Sequence, residues 1–60
     1  MKNNLRVERA RLRLTQQELA QQTGVTRQTI VAIEQGRFNP SVILALKMAR
    51  VFNTSVETLF

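Results

Sequence analysis

Between residues 16 and 39 the sequence sets out Gln16, Gln17, Thr26, Arg27, Gln28, Thr29, Gln35, Arg37 and Asn39, amides, hydroxyls and guanidiniums interrupted by carboxylates only at Glu18 and Glu34. Such groups bind two kinds of acceptor. A guanidinium matches the O6/N7 pair of guanine, a glutamine amide matches the N6/N7 pair of adenine, and hydroxyls and amides suit phosphate oxygens. Val31 and Ala32 lie among them and are small enough to approach a thymine methyl. Other chemistries lack their parts. There is no cysteine and no histidine, so thiolate and imidazole metal sites are ruled out, and no metal or organic cofactor is expected. The carboxylates are Glu8, Glu18, Glu34 and Glu57. Two of them read as helix caps and one as half of an ion pair, which leaves no nucleophile and base to make an enzyme.

Two short helices must hold these side chains. In the stretch Leu14 to Gly36, Thr15 with Glu18 three residues on has the form of a capping box, so a helix starts at Gln16. Gly24 stops it, Thr26 caps a second helix, and Gly36 stops that one in turn. Leu19, Ala20, Val25, Ile30 and Ile33 face inward, and Ala20 is small where the helices must cross. Two helices joined by a turn of about four residues containing glycine form a helix-turn-helix unit. Its second helix carries no carboxylate at the leading end, and Gln16 stands at the positive end of the first helix dipole, where a phosphate is favoured.

The periodicity predicts five helices, at about 4–13, 16–23, 27–35, 42–52 and 55–59, making one all-α domain over residues 1–60. Asn3 or Asn4 caps the first, whose inward stripe Leu5, Arg9 and Leu12, with Leu14 just beyond, contains a charge. Arg9 therefore needs an acidic partner, and Glu34 is available. Phe38 is expected to tuck into the core, Ser41 to cap the fourth helix, and Thr54 with Glu57 to form a second capping box. Sixty residues bury only about 60% of the unfolded surface, so stability depends on packing or association. Nine Lys and Arg against four Glu give a net charge of +5, and Lys2, Arg6, Arg9, Arg11 and Arg13 crowd the first 13 residues. That balance favours a polyanion. With no run of 18 apolar residues and no signal-peptide layout, a cytoplasmic protein without membrane contact is expected.

At these residues, and at Ile33-Glu34-Gln35-Gly36, Asn39-Pro40-Ser41 and Asn53-Thr54-Ser55-Val56-Glu57, nearly the whole chain resembles the phage repressor and Cro (XRE-type) helix-turn-helix regulators, in their compact single-domain form. The resemblance implies a lambda repressor-like fold and sequence-specific binding to double-stranded DNA, as a transcriptional regulator and repressor with the third helix in the major groove. It also implies an Arg9–Glu34 pair tying the first helix to the third, and backbone phosphate contacts from Gln16 and Asn39. The chain departs from the family at Ala32, where members often carry a polar residue. Arg27 is left open between a base and a phosphate.

The fourth helix has more apolar surface than one core needs: Val42, Ala45, Leu46, Ala49 and Phe52 form one stripe, and Leu44, Met48 and Val51 a second. Leu59 and Phe60 are hard to bury at a chain end. Leu44, Val51, Val56, Leu59 and Phe60 are therefore expected to join a homodimer on a palindromic or pseudo-palindromic operator. No small-molecule ligand is indicated. The competing function is an antitoxin or interaction adaptor that turns the same apolar face to a protein partner.

Overall fold

A computed structural model describes residues 3–60; Lys2, counted above in the basic N-terminal group, lies outside the described residues. Five helices follow one another: α1 Leu5–Arg11, α2 Gln16–Thr23, α3 Arg27–Glu34, α4 Val42–Val51 and α5 Val56–Leu59. No strand occurs among the described residues. None of the helices is long and apolar enough to cross a membrane.

Local hydrogen bonds explain where each helix opens. Thr15, Thr26, Ser41 and Ser55 each accept from the amide three residues on, contributing about 1 kcal/mol per cap. At Thr15 the box is reciprocal, with its own amide donating to Glu18 Oε1 at 2.8 Å. That amide, and then the Thr15 hydroxyl, hold the Glu18 carboxyl below its usual range. The expected box from Thr54 to Glu57 does not form. Thr54 donates its amide to Ala49 O at 3.0 Å to close α4, so the cap of α5 moves one residue on, to Ser55. At α1 the residue in the cap position is Asn4, yet the side chain that receives an amide is Asn3, from Leu5 N at 3.0 Å. Asn3 Nδ2 also donates to Ile33 O, and Asn4 donates through its amide and side chain to Leu59 O and Thr58 O. The start of α1 is thereby bonded to the ends of α3 and α5.

Four of the five helices, α1 to α4, stop at left-handed residues. Gly24, at φ +74°, closes α2, and Val25 N donates back to Ala20 O. Two closures use residues with a Cβ, Arg13 at φ +57° and Asn53 at φ +52°. Asparagine tolerates this region, but arginine gains nothing from it. The left-handed geometry costs an L residue about 1–2 kcal/mol, and glycine's greater unfolded-state entropy takes back about 0.5–1. Arg13→Gly is therefore expected to stabilise the domain by about 0.5 kcal/mol, a rise of about 2–4 °C in Tm by thermal circular dichroism. A lower Tm would show that the arginine side chain makes a compensating contact.

Leu5, Leu19, Ala20, Ile30, Ile33, Leu44, Met48, Phe52 and Leu59 form one core, with Leu14, Val25, Val51 and Phe60 packed against it. Several expectations change here. Leu12 is exposed, because α1 ends at Arg11 and the chain turns, so that Leu14 takes the inward position. Phe38 is 48% exposed: the core aromatic is Phe52, and the loop after α3 carries Phe38 over the surface. The two stripes of α4 divide differently, since Leu44, Ala45, Met48, Ala49 and Phe52 go inside while Val42, Ile43 and Leu46 remain 76%, 69% and 50% exposed. Leu59 is fully enclosed within the single chain and Leu44 nearly so. Neither leaves enough free surface for a subunit contact.

Candidate nucleic-acid interface

With Ile30 and Ile33 buried, the opposite side of α3 is left to solvent, and it carries Arg27, Gln28, Val31, Ala32 and Gln35. Arg27, Gln28 and Gln35 are exposed, while Val31 and Ala32 are half-buried. At the leading end Thr26 Oγ1 and Thr29 Oγ1 lie 3.0 Å apart and share one hydrogen, which leaves one O–H free to donate outward. At the trailing end Arg37 Nε donates to Gln35 Oε1 at 2.7 Å. That bond takes up the acceptor of the amide and turns its two N–H donors outward.

Beside this face lies a cleft of about 490 Å³. Gln16 and Gln17 line it from α2, Arg27, Val31, Glu34 and Gln35 from α3, and Arg6 and Arg9 from α1. Its floor is a closed network. Arg9 Nε and Nη2 donate to Glu34 at 2.8 and 3.4 Å, and Arg9 Nη1 donates to Leu14 O at 2.9 Å. Gln16 Nε2 adds a bond to Glu34 Oε1 at 3.2 Å. A carboxylate only accepts, so Glu34 decides which end of the Gln16 amide faces it, and the second N–H of the same nitrogen is left for another acceptor. The single carboxylate of this cleft is thus neutralised by Arg9, and Arg6 and Arg27 dominate its field.

The structure therefore brings Gln16, Gln17, Arg27 and Gln35 around one cleft and sets Thr26, Gln28, Thr29 and Ala32 on the adjoining helix. Asn39 sits elsewhere. It is exposed and lines a second, mainly apolar groove of about 270 Å³ with Pro40, Val42, Ala45, Val56 and Phe60. Arg6 is the cleft residue that sequence reasoning passed over as part of a general basic cluster. Its spacing of three from Arg9 was the available signal, since residues three apart share a helix face.

A helix-turn-helix family profile matches residues 5–59, all but the two ends of the chain. The chain belongs to the XRE-type helix-turn-helix family. An uncharacterized HTH-type transcriptional regulator of Archaeoglobus fulgidus is 52% identical over 60 residues, covering 100% of this chain and 86% of that protein. Another, from Methanocaldococcus jannaschii, is 50% identical over 60 residues, with 100% and 91% covered. Among solved structures, the restriction-modification controller protein C.AhdI of Aeromonas hydrophila superposes with a TM-score of 0.84 at 32% identity, covering 93% of this chain and 85% of that one. As a member of this family the protein is a DNA-binding transcriptional regulator. The exposed side of α3 is the second helix of its helix-turn-helix.

Proposed function

We propose that the protein binds a specific double-stranded DNA sequence as a homodimer, with α3 lying in the major groove, and acts as a repressor. The observation that carries this reading is the solvent side of α3, where donors and small apolar groups stand together while the neighbouring carboxylate, Glu34, is bound to Arg9. A major groove presents the acceptors and methyl groups that such a face complements.

Size argues for two copies. Successive major grooves on one side of a duplex lie about 34 Å apart, and the Cα trace measures 23 × 23 × 19 Å. A single copy carries one α3 and so enters one of them. The apolar surface left over on α4, Val42, Ile43 and Leu46, flanks the groove lined by Pro40, Ala45, Val56 and Phe60. That surface replaces Leu44 and Leu59 as the joint, with Val56 and Phe60 retained, whereas Val51 is half-buried against the core and does not line the groove.

Selection from a random oligonucleotide pool tests the reading. Enriched sequences are expected to hold two inverted half-sites with centres about 10 bp apart or a multiple of that. A pool enriched in one unrepeated half-site would remove the dimer, and no enrichment at all would remove sequence recognition.

A further inference from the structure

The cleft beside α3 has a wall that the helix-turn-helix unit does not supply. α1 contributes Arg6 and Arg9 to it, together with Gln16 and Gln17 of α2 and Arg27 of α3. The guanidinium of Arg9 is committed to Glu34 and Leu14 O. Arg6 is exposed and, among the described residues, paired with no carboxylate. Gln16, fixed by Glu34, keeps an N–H available in the same space. A free cation and a fixed neutral donor lining one open trough suit a chain of phosphates, which only accept and carry one charge per nucleotide.

We propose that this trough seats the sugar-phosphate strand bordering the groove entered by α3, and that Arg6 is a phosphate-binding residue on its outer wall. The contact extends the DNA surface from the two-helix motif to α1. It rests on the DNA-binding reading above, which places the strand next to α3. Arg6 adds affinity without adding sequence preference, because a phosphate is the same at every base pair.

The test is the salt dependence of binding to the selected operator, by fluorescence anisotropy, for the full chain and for Arg6→Ala, Arg6→Lys and Arg50→Ala. Arg50 is exposed on α4 outside the trough and serves as the control for net charge. Each phosphate contact adds about 0.9 to the slope of log K against log salt, so Arg6→Ala is expected to flatten it by about 0.9 per subunit. Between 50 and 200 mM salt the wild-type advantage should shrink about 3.5-fold per contact, or about 12-fold per dimer. Base preference and Tm should stay the same, Arg6→Lys should restore the slope, and Arg50→Ala should leave it intact. If Arg6→Ala keeps the parent slope, or if Arg50→Ala flattens it equally, Arg6 holds no phosphate. If the parent chain itself fails to bind DNA, it is the DNA-binding reading that fails.

Discussion

Replacing either Arg9 or Glu34 by alanine is expected to lower the unfolding free energy by about 3 kcal/mol, far beyond the roughly 0.5 kcal/mol of an exposed pair. The difference lies in burial. The side chains are 18% and 6% exposed, so a lone survivor cannot recover its hydration. Loss of Arg9 strands a carboxylate whose remaining side-chain donor is Gln16, at 3.2 Å. Loss of Glu34 leaves a guanidinium with Leu14 O as its acceptor. For a domain of 60 residues, total stability is about 3–9 kcal/mol, so either change removes from a third to all of it. Substituting methionine at both positions together should recover most of the loss, because two hydrophobic groups of similar length replace two mutually dependent charges. Urea melts of the two alanine singles and the double alanine variant should give a coupling on the order of 2–3 kcal/mol. Additive losses below about 0.5 kcal/mol would mean that the pair does not hold α1 to α3.

The second large effect concerns recognition. Arg27 opens α3, is exposed, and stands beside Gln28 at the end that the proposed docking puts into the groove first. Arg27→Ala is expected to cost about 1–3 kcal/mol per half-site, about 5- to 150-fold, and to relax the preference at one base pair, guanine being the natural match for a guanidinium. Repeating the pool selection with the variant reads this directly. Preserved base preference with a shallower salt slope would instead assign Arg27 to a phosphate. The same comparison for Gln28→Ala should relax a different position, where adenine is the match for an amide. No such change is expected for Arg6→Ala, so the three variants together separate reading from gripping.

The fate of the exposed face on α4 bears on both measurements. Val42, Ile43 and Leu46 keep half or more of their surface in the single chain, although Leu44 and Met48 one turn apart are buried. If two copies join there, each operator contact counts twice. A substitution such as Arg27→Ala then shows the square of its effect on one half-site.

The sequence by itself determined what depends on neighbours three or four residues away. Thr15, Thr26 and Ser41 announce their helices because a hydroxyl and an amide three residues on are enough to start one. Gly24 marks the turn because its φ of +74° is costly for any residue with a Cβ. Tertiary structure decided what depends on distant parts of the chain. Thr54, three residues before Glu57, reads as the cap until its amide bonds Ala49 O at the end of α4 and Ser55 caps α5 instead. The two apolar stripes of α4 are equivalent on a helical wheel, and the buried face, which takes Ala45, Ala49 and Phe52 from one and Leu44 and Met48 from the other, is chosen by Leu5, Leu19 and Leu59 arriving from three other helices. Leu59 is buried because Asn4 bonds the chain's end to its beginning, a contact between residues 55 apart. The trough beside α3 likewise exists only once α1 is packed against it, so the spacing of Arg6 from Arg9 shows a shared helix face but not the cleft that the face lines.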